Sequence, residues 1–175
     1  MKKVLAISGS LRAASRNTGL LRYAQANAPE GMSIEIADLR DMPFYNADFP
    51  TPTPPVTRLF EQLRAADGLL LACTEYNYSI APALKNALDW ASREKDNHLL
   101  AGKPTALCGA AGGMGSSRAQ YHLRQVAVFL DLRVLSKPEV FSNAFGESFN
   151  AAGDPVDEKL QGQIKQQLQA LLAVL

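Results

Sequence analysis

Leu69-Leu70-Leu71-Ala72-Cys73 is a run of five residues without a polar side chain, set between two stretches of helical period. A strand with one wet face alternates apolar and polar residues, whereas a continuous run of this length asks for burial on both faces. Strands are predicted there, over Gly68–Cys73, and at Lys3–Ile7, Ser33–Asp38, Lys103–Gly109 and about Arg133–Ser136, the last continuing toward Phe141. Between them the apolar residues change period. Leu20, Leu21, Ala24 and Ala28 mark one helical face; Val56, Leu59, Phe60 and Leu63 mark a second. Leu84, Ala87, Leu88 and Ala91 give a third, and Leu123, Val126, Ala127 and Leu130 a fourth. The tail from Asp157 carries Leu160, Ile164, Leu168, Leu171 and Leu175 as a fifth. Pro54-Pro55 and Ser116-Ser117 are start signals for the second and fourth helices.

Five strand–helix units imply an α/β protein, a parallel sheet covered on both faces and joined by right-handed crossovers. For five strands the expected arrangement is a flavodoxin-like three-layer sandwich of order 2-1-3-4-5. Its ligand crevice lies at the carboxyl ends of strands one and three. No linker, repeat or composition shift divides the chain, so residues 1–175 read as a single domain.

Composition excludes several classes. Hydrophobic residues make up 47% and charged residues 20%, which argues against disorder. A net charge of +1 gives no electrostatic reason to expect nucleic acid or an anionic membrane as partner. Only four apolar residues precede Ser8, too few for a signal-peptide core, and no run approaches a membrane span, so a cytoplasmic location is expected. The chain has two cysteines, Cys73 and Cys108, and two histidines, His98 and His122. That inventory barely supplies a zinc site and does not cluster, so no metal is expected. Both cysteines close apolar runs and read as buried thiols, close together if their strands are neighbours.

The first strand runs into Ser8-Gly9-Ser10-Leu11-Arg12-Ala13-Ala14-Ser15-Arg16-Asn17, and a helix is expected from about Thr18. The first N–H groups of a helix lack intrahelical partners and carry partial positive charge. Ser10, Ser15 and Asn17 add short polar donors, and Arg12 a fork suited to phosphate oxygens. No Lys completes a P-loop and only one glycine stands where a dinucleotide fingerprint needs three. A metal-free Ser/Arg/Asn loop suits a terminal monophosphate such as that of FMN. The other reading is an ordinary strand–helix turn with Asn17 as helix N-cap.

The expected crevice demands unusual loops at the third and fourth strand ends too. Thr74-Glu75-Tyr76-Asn77-Tyr78-Ser79 follows Cys73, and Ala110-Ala111-Gly112-Gly113-Met114-Gly115-Ser116-Ser117 follows Gly109. Glycines let backbone approach a planar ring and aim N–H groups at its polar edge, and Tyr76 and Tyr78 can supply an aromatic wall. Each loop taken singly is also compatible with an exposed turn, and Glu75 with a solvated carboxylate.

In this combination the chain resembles the NAD(P)H-dependent FMN reductase family, which includes quinone, azo-dye and chromate reductases. The resemblance rests on Gly9-Ser10-Leu11-Arg12 with Ser15 and Asn17, on Glu75-Tyr76-Asn77-Tyr78-Ser79, and on Leu84-Lys85-Asn86-Ala87-Leu88-Asp89-Trp90. The Gly112–Ser117 loop and, more loosely, Phe44-Tyr45-Asn46-Ala47-Asp48 continue it. It implies that Ser10, Arg12, Ser15 and Asn17 hold the FMN phosphate. It implies that Glu75, Tyr76, Asn77 and Tyr78 border the isoalloxazine, with Gly112, Gly113, Ser116 and Ser117 at its polar edge. Lys85, Asn86, Asp89 and Trp90 are assigned packing or subunit contacts, which makes the helix Pro82–Ser92 the candidate interface. The family pattern has a proline before the Glu of E-Y-N, where this chain has Thr74. It also reads S-x-P-G afterwards, while here Ser79-Ile80-Ala81-Pro82 shifts the proline by one.

The implied reaction has two steps: NADPH or NADH delivers hydride to the flavin, leaves, and a quinone, free flavin, azo compound or similar acceptor takes the electrons. The cofactor carries the chemistry, so no catalytic side chain is named. The resemblance also implies a homodimer or homotetramer. Asp41–Pro55, rich in proline and aromatics, is a candidate pocket wall or partner contact, or a turn tucked on the core. Arg118 reads as a solvated arginine or a nicotinamide-phosphate contact. A flavodoxin-type electron carrier is the alternative, against which a charge of +1 argues since carriers are markedly acidic. A flavin-free binding module of the same fold is the third reading.

Overall fold

A computed structural model describes residues 1–49, 51–95 and 98–175. The strands are β1 (Lys2–Ser8), β2 (Met32–Ile36), β3 (Gly68–Ala72), β4 (Glu75–Tyr76), β5 (Ser79–Ile80), β6 (Pro104–Ala111), β7 (Arg133–Val134) and β8 (Val140–Asn143). The helices are α1 (Arg16–Ala26), α2 (Pro54–Ala65), α3 (Pro82–Ala91), α4 (Ser117–Phe129) and α5 (Glu158–Leu172).

The main sheet is parallel and runs β2-β1-β3-β6, with β7 and β8 both paired to the outer edge of β6. This is the flavodoxin-like order 2-1-3-4-5, with its fifth strand in two pieces. β7 matches Pro104 and Thr105, and β8 matches Cys108 to Ala111. Between them Pro138 has no N–H to give the ladder. Buried Gln167 bridges the gap from α5, donating from Nε2 to Leu107 O at 2.8 Å and to Pro138 O at 3.0 Å. β4 and β5 form a separate two-residue hairpin that periodicity did not indicate.

β3 is buried at every position, as its unbroken apolar run requires. Leu69 and Leu71 pack under α2, α3 and α4, while Leu70 and Ala72 pack with α1 and α5. The central strands β1, β3 and β6 thus feed two cores on opposite faces. Helix starts follow local chemistry: Pro54-Pro55 open α2, and Pro82 opens α3. Asp157 caps α5 by accepting from Leu160 N at 2.7 Å.

Cys73 and Cys108 do sit on neighbouring strands, with Cys73 N donating to Cys108 O at 2.8 Å. Their thiols belong to opposite cores, Cys73 to the α2/α3/α4 side and Cys108 to the α1/α5 side. Burial pushes both thiols up to about 12.

Candidate functional site

Three loops leave the same edge of the sheet, at the carboxyl ends of β1, β3 and β6, and enclose a cleft of about 250 Å³. The first loop contributes Ser10, Arg12, Ser15, Arg16 and Asn17, the second Thr74, Glu75 and Tyr76, and the third Ala110, Ala111 and Gly112. Ala144 and Phe145, just past β8, complete the rim.

The first loop is held by its own hydroxyls. Ser8 Oγ accepts from Ser10 N at 3.2 Å and from Thr18 Oγ1 at 3.0 Å. The N-cap of α1 is Ser15, not Asn17: Ser15 Oγ accepts from Thr18 N at 3.1 Å, which leaves its O–H to donate. Asn17, two residues further on, is buried and pairs with the backbone of Ala110. Its Nδ2 donates to Ala110 O and its Oδ1 accepts from Ala110 N, each at 2.9 Å. Asn17 therefore ties the first loop to the third. No acidic residue stands in the first turn of α1, while Arg16 occupies its first position.

Glu75 is a buried cap. Its side chain is 6% exposed; Oε2 accepts from Ala119 N at 3.2 Å and Oε1 from Arg118 Nε at 3.1 Å. Ser116, the N-cap of α4, makes no side-chain cap bond, so this carboxylate from another loop does that work. Arg118 continues over the ring of Tyr78, with its guanidinium carbon 3.6 Å from the ring centroid. It is thus not a solvated arginine standing alone. The contact braces a demanding turn: Asn77 and Tyr78 have φ of +50° and +66°, as a type I′ hairpin turn requires. Asn tolerates that region; a tyrosine there costs on the order of 1 kcal/mol or more.

The third loop divides. Gly112 lines the cleft, and Gly113 faces open space. At Gly115, with φ +61°, a Cβ would come within 2.8 Å of Ser142 N, so close passage by β8 requires glycine. Ser116, at φ +72°, is fully buried, and its hydroxyl accepts from Gln120 Nε2 at 3.0 Å. Ser117 begins α4 outside the cleft wall, as Asn77 and Tyr78 lie outside it in the hairpin turn.

Asn86 and Trp90 act on the segment 41–55, of which Pro50 lies outside the described residues. Pro43 O accepts from Asn86 Nδ2 and from Trp90 Nε1, each at 2.9 Å, and Asn86 Oδ1 accepts from Tyr45 N at 2.8 Å. Tyr45 and Phe49 cover the Trp90 ring edge-on and face-on. Trp90 is 5% exposed under the chain's own loop, so it offers no surface for a partner subunit. Lys85 and Asp89 pair with each other at 2.7 Å on α3.

Sequence reading missed Arg16, Thr74, Ala144 and Phe145. For Arg16 a signal was present, a cation in the first turn of a helix without acids. Phe145 follows a strand piece that was read as one with β7.

The fold and cleft together define the class: a flavodoxin-like α/β protein whose open strand edge presents a helix N-terminus flanked by arginines. The sequence profile of the family described as NADPH-dependent FMN reductase matches residues 2–147. An NAD(P)H-dependent FMN reductase of Pseudomonas aeruginosa is 53% identical, the match covering 97% of this chain and 92% of that protein. An NADPH:quinone oxidoreductase of Arabidopsis thaliana is 45% identical, over 98% and 90%. Among solved structures, a flavoenzyme NAD(P)H:(acceptor) oxidoreductase of Paracoccus denitrificans superposes with TM-score 0.88 at 30% identity, covering 99% of this chain and 96% of that one. The chain belongs to the NADPH-dependent FMN reductase family, oxidoreductases that use FMN with NAD(P)H as electron donor.

The residues present fit that cofactor. Among the described residues, four buried side-chain polar atoms lack a partner, and two of them, Arg16 Nε and Thr74 Oγ1, belong to residues lining this cleft. Buried polar groups without partners are rare in folded proteins, and two at one cleft mark a place for a polar ligand.

Proposed function

We propose that this protein oxidises NAD(P)H and passes the electrons through FMN to a small-molecule acceptor of the quinone class, with free flavins and azo compounds as further acceptors. The observation that carries the reading is the open end of α1, where Arg12 and Arg16 stand beside uncapped N–H groups with no acid in the first turn. When bound, FMN supplies the redox chemistry, accepting hydride and releasing electrons to an acceptor that enters after the oxidised nucleotide has left.

The protein's part is to bind and orient. Ser10, Arg12, Ser15 and the first N–H groups of α1 hold the phosphate, and Asn17 fixes their distance from β6. The Glu75–Tyr76–Asn77–Tyr78 hairpin and the loop from Gly112 and Gly113 to Ser116 and Ser117 border the ring. The hairpin acts largely through backbone, since the Glu75 carboxylate is engaged with α4. No side-chain acid or base is required for hydride transfer.

Anaerobic stopped-flow mixing of the FMN-loaded protein with NADPH, then NADH, tests this reading. Rapid bleaching of the oxidised-flavin band is expected, with parallel double-reciprocal plots when a quinone is varied against NADPH. Bound flavin that stays yellow with both donors would instead indicate an electron carrier. Failure to retain FMN would sink the reading altogether.

The partner is a second copy of this chain, forming a homodimer or homotetramer. Support comes from α4, where Tyr121, Val128 and Phe129 are 54%, 81% and 75% exposed along its outer side. Sedimentation equilibrium is expected to give a dimer or tetramer, and a monomer at tens of micromolar would refute it. No helix among the described residues is long and apolar enough to cross a membrane.

A further inference from the structure

Arg16 is placed where a helix least favours it. As the first residue of α1, its charge lies against the positive end of the helix dipole, where cations are unfavourable. The other helix starts carry a carboxylate or a proline: Glu158 stands in the first turn of α5, Glu75 serves α4, and prolines open α2 and α3. Among the described residues no carboxylate pairs with Arg16. Its guanidinium lies 6.0 Å from the centroid of Phe149, and its Nε is buried without an acceptor. Arg12 lines the same cleft a turn away. Two cations and a dipole end thus converge on one cleft, whose one lining carboxylate, Glu75, is already engaged by Arg118 and Ala119 N.

A second observation points to a ligand in the same place. Thr74 is 6% exposed, lines the cleft, and its Oγ1 has no partner. It stands at the end of β3, between the first loop and the hairpin, packed against Gly9, where an added Cβ would lie 3.2 Å from its own. A ligand that spans those two loops passes this hydroxyl.

We propose that Arg16 is a second charged ligand of the cofactor phosphate and sets the preference of this site for FMN over riboflavin. The proposal rests on the FMN reading given above. Arg12, exposed on the first loop, and Arg16, half-buried beside Phe149 at the start of α1, would each meet the phosphate. An ion pair at this position supplies the missing countercharge of α1 and an acceptor for the buried Nε. Riboflavin, with the same ring and ribityl chain but no phosphate, leaves both unmet.

The test is equilibrium titration of the apoprotein with FMN and with riboflavin, followed by quenching of flavin fluorescence, for wild type, Arg16→Leu and Arg16→Lys. Leucine keeps the apolar contact with Phe149 and removes the charge. Arg16→Leu is expected to weaken FMN by about tenfold or more while riboflavin affinity stays within about twofold. Arg16→Lys should fall between, and the wild-type preference for FMN should shrink on raising salt more than that of Arg16→Leu. Unchanged FMN affinity in Arg16→Leu, or equal loss for both flavins, overturns the proposal and leaves the FMN reading standing. Wild-type protein that binds neither flavin overturns the FMN reading itself.

Discussion

Two helix N-termini face the same edge of the sheet, and the chain treats them in opposite ways. At α4 a buried carboxylate, Glu75, accepts from Ala119 N and pairs with Arg118. At α1 the cap is a neutral serine, the first turn has no acid, and the nearest side-chain charges lining the cleft on that loop are Arg12 and Arg16. The first terminus is satisfied from within and so serves as structure. The second, on the reading proposed above, is completed by the FMN phosphate, and its lack of an internal counter-ion, more than the presence of a helix end, is what suits it to an anion.

The sharpest way to break this contrast is to remove the internal counter-ion. Glu75→Ala leaves Arg118 and Ala119 N without their acceptor and releases the brace on the Tyr78 turn. Because Glu75 is buried and Arg118 is 37% exposed, a loss of about 2 kcal/mol is expected, seen as a fall of about 4–8 °C in Tm. A Tm within a degree of wild type would mean that α4 does not depend on this carboxylate. Ser15→Ala acts on the other terminus. Losing its bond to Thr18 N is expected to cost about 1 kcal/mol in the apoprotein. FMN affinity should fall as well if, as proposed, the same hydroxyl donates to the phosphate; a stability loss with unchanged affinity would separate the two roles.

The smallest effect is expected at Asp38, which pairs with Arg40 beside the first loop but in solvent. The Arg40 hydrogen bond lowers the Asp38 carboxyl from 3.8 to about 2. A depressed carboxyl stabilises the fold above its unfolded value, and that contribution disappears as pH falls from about 4 to about 2. With 41% of the Asp38 side chain and 73% of that of Arg40 exposed, Asp38→Asn should cost less than about 0.5 kcal/mol by urea unfolding at pH 7, and nothing below pH 2. A larger loss would show that the pair also organises the first loop.

The fold was legible because burial on both faces leaves its mark in the central strands: β3 has no polar residue to confuse the period, and five strand runs alternating with helical faces admit few sheet orders. The break in the fifth strand was less legible, since Arg133–Ser136 and Phe141 are separated only by Pro138 and its neighbours, and the element that fills the gap, Gln167, lies far along the chain. At the site, loop chemistry pointed to the edge of the sheet where the cleft lies. What it could not assign was which polar residue faces the cleft and which faces the protein. Asn17 and Glu75 look like ligands by type, yet the carboxamide of one is engaged by Ala110 and the carboxylate of the other by α4. Arg16 looks like a surface residue and lines the cleft. Such distinctions depend on partners distant in sequence, Ala110 for Asn17 and Ala119 for Glu75, which local pattern does not carry.

The opposed cysteines have a consequence for how the molecule opens. Cys73 and Cys108 lie on adjacent strands, each sealed beneath a different layer of helices and held as a neutral thiol. A thiol reagent therefore reaches Cys73 only when the α2/α3/α4 layer lifts, and Cys108 only when the α1/α5 layer does. The wild-type chain carries a separate reporter for each half of its sandwich, and the ratio of their labelling rates reads which half detaches first.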